Sequence, residues 1–319
     1  MAYPEGMRLS AFRAGLWKPR TRPGTFEGVG EAGIPWLAGI QRSLGLPVAV
    51  EVATEAHLDA VLSAGIRIVW IGSRTATDPF AVQALADVLR GCSDVTVYVK
   101  NPINPDPDLW IGAMERVMAS GVKSIAAVHR GFSFYETVRY RNNPKWQVPI
   151  DVMRRMPQIP MFCDPSHISG DASLVGTVSQ SALDLGFAGL FIESHCNPQA
   201  ALSDASQQVT PQQLGEILSS LVPKDMVVKD ADTAVRIEAL RSRIDEIDEA
   251  LLDLLASRME ISGEIGASKK KGGITPYQPS RWEKVLERVT SGAASRGLDR
   301  SFVREVFTLI HEASIEKQK

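Results

Sequence analysis

The chain has 319 residues, 44% of them hydrophobic and 23% charged, with a formal net charge of −2 at neutral pH. That length supports a large core and more than one domain, and the charge balance offers nothing to hold nucleic acid. No apolar stretch approaches the ~20 residues of a membrane span, and the opening MAYPEGMRLSAF has no signal-peptide core, so a cytoplasmic protein without membrane partners is expected. Cys92, Cys163 and Cys196 show neither paired metal spacing nor a disulfide framework and read as reduced.

Short apolar runs read as strands in LSAFRAG, PVAVEV (47–52), IRIVWIG (66–72), VTVYVK (95–100), SIAAVHRG (124–131), PMFCDPSH (160–167) and GLFIESH (189–195). They are continuously apolar, as in parallel strands covered by helices. Between them, EAHLDAVLSAG, FAVQALADVLRG, DLWIGAMERVMASG and SLVGTVSQSALDLG carry apolar residues at three- and four-residue spacing, the helical period. Strand and helix alternate seven times, which predicts a parallel barrel or a doubly wound sheet. Arg13, Lys18, Arg20, Arg74, Lys100 and Arg130 each sit at or just past the end of an early strand. In a barrel the chemistry belongs at those carboxyl ends, and cations placed there describe a cup for phosphate and carboxylate.

After Val222 the character changes. Residues 223–233 read as a polar linker, and a helical seam then runs through Ile237, Leu240, Ile244, Ile247, Leu251, Leu254, Arg258, Ile261 and Ile265, the pattern of a dimerising helix. Arg258 interrupts it, and an unpaired guanidinium is costly to bury, so the seam calls for an anion there. Lys269 shares its face about 16 Å along the axis, while Arg241 lies about 25 Å back. In an antiparallel dimer Arg241 would reach the partner's site.

The string FRAGLWKPRTRPGTFEG at 12–28, with IGSRT (71–75), VKNP (99–102), HRGFS (129–133), DPSH (164–167), IESH (192–195) and LSDASQQVTP (202–211), resembles the shorter barrel subtype of 3-deoxy-D-arabino-heptulosonate 7-phosphate (DAHP) synthase. The resemblance covers about residues 8–222. It implies an α/β TIM barrel that condenses phosphoenolpyruvate with erythrose 4-phosphate at the entry to aromatic amino-acid synthesis, using a divalent metal. It implies phosphoenolpyruvate-binding roles for Arg13, Lys18, Arg74, Lys100 and Arg130, with Lys100 also a candidate for proton handling, and an aldose-phosphate role for Arg20 and Thr21. A guanidinium suits these anions because it offers two parallel N–H donors. His167, Glu193 and Asp204 match three of the family's four metal ligands. One imidazole and two carboxylates favour Mn²⁺, Fe²⁺, Co²⁺ or Zn²⁺ over Ca²⁺. His195 reads as a supporting or phosphate contact.

Family members begin with a strand ending in Gly-Pro-Cys-Ser, whose Cys is the fourth ligand. This chain opens at what reads as the second strand, so seven of eight strands are expected, with two exposed edges. Cys163 and His167, four residues apart on what reads as one extended strand, would lie roughly 13 Å apart, too far to share an ion. Cys196, three residues past Glu193, is not excluded by spacing.

Residues 234–319 resemble all-helical chorismate mutases in LRSRIDEIDEALLDLLASRMEISGEIGASKK, YQPSRWEKVLER and FVREVFTLIHEASIEKQ. The resemblance implies that Arg241 of a partner, Arg258 and Arg281 hold chorismate's carboxylates. Lys269 and Gln318 would donate to its ether oxygen, Ser314 would line the site, and no cofactor would be needed. Where many mutases place acidic residues, this chain has Gln278, which can still hydrogen-bond, and Trp282, which cannot replace a carboxylate and is expected to pack instead. The expected whole is a bifunctional, homodimeric enzyme of 1–222 (barrel), 223–233 (linker) and 234–319 (mutase). Two alternatives stay open: a barrel without metal chemistry serving as a regulatory scaffold, and an aldolase using Lys100 as a Schiff-base nucleophile.

Overall fold

The computed structural model describes residues 8–20, 24–134, 139–224 and 230–319. The chain divides into two compact units, residues 1–226 and 227–319.

In the first unit, seven parallel strands follow one another in chain order: β1 (Phe12–Ala14), β2 (Val48–Val52), β3 (Ile68–Ile71), β4 (Thr96–Lys100), β5 (Ser124–His129), β6 (Met161–Cys163) and β7 (Gly189–Leu190). Helices fill the crossovers: α1 (Ile34–Leu44), α2 (Glu55–Ser63), α3 (Ser73–Ala76), α4 (Pro79–Val88), α5 (Pro107–Ala119), α6 (Gln147–Arg155), α7 (Pro165–Ser169) and α8 (Val175–Asp184), with α9 (Pro211–Ser220) after the last strand. Among the described residues this is a curled sheet of TIM-barrel type with seven strands, its edges at β1 and β7. Two-residue alternation divides the side chains. Val48, Val50, Val69, Ile71, Val97 and Val99 pack into the core beneath the helices. Their neighbours Ala49, Glu51, Trp70, Tyr98 and Lys100 face a cavity inside the sheet.

Local chemistry sets the helix starts. Thr54, Asp78, Asp106 and Asp164 each accept a backbone N–H of the first turn, and Pro follows directly after the three aspartates, where its missing N–H costs nothing. Thr210 and Gln213 form a reciprocal capping box on α9. Within α5, Trp110 is fully buried and donates Nε1–H to the Val99 carbonyl at 3.1 Å, tying helix to strand.

Three sequence expectations need correction. PMFCDPSH is not one strand: β6 stops at Cys163, and Asp164 caps α7, so His167 rides on a helical turn. The extended-strand separation of Cys163 and His167 therefore does not apply. GLFIESH is strand only at Gly189–Leu190, with a single bridge from Ser194 to Val209 beyond it. Lastly, residues 231–233 of the expected linker already belong to a helix.

That helix, α10 (Ala231–Lys271), has 41 residues and is about 60 Å long; α11 (Pro279–Ser291) and α12 (Arg300–Gln318) complete the second unit. Its interior is small, with Ser262, Thr290, Ala293, Val303 and Ser314 buried. Gly266 lets α10 and α12 approach closely, since a Cβ there would stand 2.6 Å from Gln318 Cα. Of the seam, Leu240, Ile244, Ile247, Leu251, Leu254, Ile261 and Ile265 are exposed in the single chain. No helix among the described residues is long and apolar enough to cross a membrane.

His129, at the end of β5, is completely buried among Trp110, Phe132, Trp146 and Phe187, with ring centroids 5.3–6.3 Å away. Burial pushes its pKa down to about 3. The unfolded imidazole takes a proton near pH 6.5 and the folded one does not, so stability falls as pH drops from 6.5 toward 3, by about 1.4 kcal/mol per pH unit. Substituting His129→Gln should flatten that part of the pH dependence in urea titrations; a slope unchanged between pH 6.5 and 4 would refute the assignment.

Candidate active sites of the two units

The barrel cavity, of about 1070 Å³, opens where the carboxyl ends of the strands meet. Arg13, Lys18, Arg20, Arg74, Lys100, Arg130, His167, Glu193 and Asp204 all line it. Thr21 lies outside the described residues. Arg13 projects from β1, its guanidinium 5.8 Å from the Trp70 ring and 5.4 Å from the Phe191 ring. Its Nη2 lies 3.4 Å from Glu193 Oε1, yet Nε and Nη2 are buried without a hydrogen-bond partner. Lys100 Nζ, at the end of β4, bonds Asp164 Oδ2 at 2.7 Å.

Arg130 is fixed from both ends. Its backbone N–H donates to Asn101 Oδ1 and its Nη1 to Asn142 Oδ1, each at 2.7 Å. Burial lowers its pKa to about 10, with the Asp164 charge opposing and Arg141 and Arg74 adding to the shift. It stays cationic at neutral pH.

His167, Glu193 and Asp204 bring ligand atoms within 4.8 Å of one another. The sources are a helical turn, the segment after β7 and a loop in which Asp204 takes φ 53°. That left-handed conformation is uncommon for a residue with a side chain, and here it places the carboxylate among cations. Lys18 Nζ lies 3.4 Å, Arg20 Nη1 3.7 Å and Arg141 Nη1 3.0 Å from Asp204. Burial would raise the pKa of Asp204, but the Arg141 hydrogen bond and the charges of Lys18 and His167 prevail and hold it at about 2. For Glu193, burial likewise opposes, while His167, Arg13 and a hydrogen bond from Gln207 Nε2 at 2.8 Å bring its pKa below the usual value. Two ionised carboxylates and an imidazole whose Nδ1 faces the Asp164 carboxylate at 2.9 Å, which leaves Nε2 for an ion, form a donor set that fits a divalent metal.

Sequence reasoning missed Asp164, Arg141, Asn101, Asn142 and Gln207. Asp164 is fully buried, and although burial opposes its charge, His167, Lys100 and Arg13 hold its pKa well below the usual carboxylate range. The Asp-Pro start of DPSH was a legible cap signal; Asn101 and Asn142 carried none beyond their place near quoted motifs. Cys163 is buried, with its thiol pKa pushed up by burial, and stands outside the ligand trio. Cys196 and His195 line the cavity, and His195 Nδ1 accepts the Asn197 N–H at 3.0 Å.

In the helical unit, Arg258 donates to Ser314 Oγ across α10 and α12. Burial pulls the Arg258 pKa down. Eleven residues on, Lys269 Nζ bonds Gln318 Oε1 at 2.9 Å and the Pro276 carbonyl at 2.6 Å. One chain therefore brings Arg258, Lys269, Ser314 and Gln318 to a common line between two helices. Arg281 stays exposed on α11, and Arg241, far along α10, pairs only locally with Glu238 at 3.5 Å. Gln278 caps α11 without a side-chain bond, and Trp282 stacks on His311 at 4.1 Å and 3°.

Residues 7–229 match the family model described as DAHP synthetase I family, and residues 240–319 match that described as Chorismate mutase type II. A phospho-2-dehydro-3-deoxyheptonate aldolase of Thermotoga maritima is 29% identical over 213 residues, which are 67% of this chain and 61% of that protein. A 2-dehydro-3-deoxyphosphooctonate aldolase of Chelativorans sp. is 26% identical over 216 residues, 62% of this chain and 72% of that protein. The crystal structure of a Thermotoga maritima phospho-2-dehydro-3-deoxyheptonate aldolase superposes with a TM-score of 0.57 at 26% identity, over 66% of this chain and 58% of that one. The chain thus spans about three fifths of the length of the Thermotoga protein. With the family model covering the whole barrel unit, the chain belongs to the DAHP synthetase I family and carries a chorismate mutase type II domain after the barrel.

Proposed function

We propose that the barrel condenses phosphoenolpyruvate with erythrose 4-phosphate to give DAHP and phosphate, and that the helical unit rearranges chorismate to prephenate. Both reactions would serve aromatic amino-acid synthesis in the cytoplasm, on a barrel domain (1–222) joined through 223–233 to a mutase domain (234–319). The observation that carries the first activity is the convergence of the ligand trio with an unsatisfied buried guanidinium, Arg13, on one cavity.

Arg13, Lys18, Arg74, Lys100 and Arg130 bind the phosphate and carboxylate of phosphoenolpyruvate, while Arg20 and Thr21 take the aldose phosphate. His167, Glu193 and Asp204 would hold a divalent cation of the Mn²⁺, Fe²⁺, Co²⁺ or Zn²⁺ group, which would supply polarisation of the aldehyde carbonyl. C3 of phosphoenolpyruvate then forms a bond to the aldehyde carbon, water adds at C2, and the C2–phosphate group departs as inorganic phosphate. Lys100, at the cavity floor beside Asp164, carries the proton that the new hydroxyl needs.

In the mutase, Arg258, Arg281 and Arg241 of a second protomer clamp the two carboxylates, and Ser314 keeps Arg258 in line. Lys269 donates to the ether oxygen, where negative charge grows as the C–O bond breaks. Gln318 joins it with its amide rotated, since the carbonyl and NH₂ ends of a glutamine interchange by a half turn. The pericyclic step asks for a held conformer and no cofactor. The exposed apolar seam of α10 is the face on which the two protomers would pair.

Chelation with EDTA should abolish phosphoenolpyruvate consumption in the presence of erythrose 4-phosphate, leave chorismate consumption intact, and be reversed by Mn²⁺. Mutase turnover with no synthase turnover at any metal would instead favour the scaffold alternative. The shared site makes a second prediction: Arg241→Ala and Arg258→Ala chains, each inactive as mutases, should recover about a quarter of wild-type activity when refolded together. Half of the dimers are then mixed, and each mixed dimer has one intact site. No recovery on mixing would place Arg241 in its own chain's site.

A further inference from the structure

We propose that Asp164 is a positioning residue shared by the two halves of the barrel site, turning His167 toward the metal while its charge is divided with Lys100, so that filling the anion cradle tightens the metal centre. This rests on the reading of His167, Glu193 and Asp204 as metal ligands. Asp164 is fully buried at the end of β6. Its Oδ1 accepts the backbone N–H of His167 at 3.1 Å, which is the ordinary work of a helix cap. One oxygen suffices for that work, and Asn or Ser would do it equally well. The second oxygen is what a cap leaves unexplained. Asp164 Oδ2 lies 2.7 Å from Lys100 Nζ, 2.9 Å from His167 Nδ1 and 3.9 Å from Arg13 Nη2.

A carboxylate beside one imidazole nitrogen favours the tautomer that carries its proton there and frees the other nitrogen, the arrangement by which carboxylates steer metal-binding histidines. Here the same oxygen also neutralises a lysine of the anion cradle, so one negative charge serves two tasks. Lys100 draws Asp164 toward itself while the cradle is empty. Once a phosphate or carboxylate occupies Lys100, Asp164 is left to His167 and the more distant Arg13, and metal affinity rises. Such linkage is reciprocal, so a bound metal strengthens anion binding by the same factor.

The test is Mn²⁺ affinity, measured by electron paramagnetic resonance on the full chain without substrate, for wild type, D164N, K100M and the double variant. Asp164→Asn keeps the cap acceptor and removes the charge; it should weaken Mn²⁺ binding about tenfold or more. Lys100→Met mimics a lysine diverted to substrate and should tighten Mn²⁺ binding about fivefold. In the double variant the gain should vanish, because the effect of Lys100 passes through Asp164. A gain that persists in the double variant would mean simple charge repulsion between Lys100 and the metal, and would overturn the proposal. So would unchanged Mn²⁺ affinity in D164N with only its melting temperature lowered. If D164N does not fold, wild type, K100M and the charge-balanced double variant still decide, and K100M with wild-type affinity refutes the linkage. Wild type that binds no Mn²⁺ overturns the ligand assignment itself, an outcome distinct from wild type and D164N binding equally well.

Discussion

A carboxylate with no exposure to water cannot hold its charge alone, and Asp164 meets that constraint by gathering Lys100, His167 and Arg13 around itself. The rest of the barrel mouth follows from this. Lys100 stays at the cavity floor because its counter-ion is there. Arg13 reaches in from β1, and its unsatisfied N–H groups are tolerable only because two carboxylates lie within 4 Å and two aromatic faces border it. A ligand bearing phosphate and carboxylate groups would complete the hydrogen bonds that Arg13 Nε and Nη2 leave open.

How much of this was legible in the sequence follows from how each signal is generated. The strands were visible because parallel strands under helices need unbroken apolar runs, as in VAVEV and TVYVK. The cationic cup was visible because chain topology alone puts the residues after each strand at one mouth. The ligand trio was visible through a resemblance spread over several motifs. By contrast, β6 ends at Cys163, four residues short of the expected run: PMFC and DPSH are both compact and partly apolar, and only the Asp-Pro pair marks the switch from strand to helix. That error displaced His167 onto an extended chain and hid Asp164. Arg141, Asn142 and Gln207 were invisible for another reason. Their roles depend on contacts across 12 to 63 positions of sequence, which no local pattern encodes.

The second unit shows a different relation between sequence and site. Its heptad seam states that α10 must lie against another surface, and the single chain leaves that seam exposed while α10 and α12 close tightly at Gly266. The close approach draws Lys269 to Gln318, and Arg258 likewise meets Ser314. Among the described residues Arg241 pairs with Glu238, one turn away on its own helix. A clamp for two carboxylates that needs Arg241 is therefore incomplete in one protomer, which binds catalysis to association in the mutase reading.

The donor chemistry of the barrel bears on the choice of metal. Among the described residues the converging set is one imidazole and two carboxylates, with no sulfur. Thiolates favour softer ions, whereas carboxylates favour Mn²⁺ and Fe²⁺. Both acids are ionised at neutral pH, Asp204 with a pKa of about 2, so the set carries two negative charges that largely offset a divalent cation. Hardness and charge thus both suit a divalent cation, and Lys18, Arg20 and Arg141 balance the Asp204 carboxylate within the protein itself.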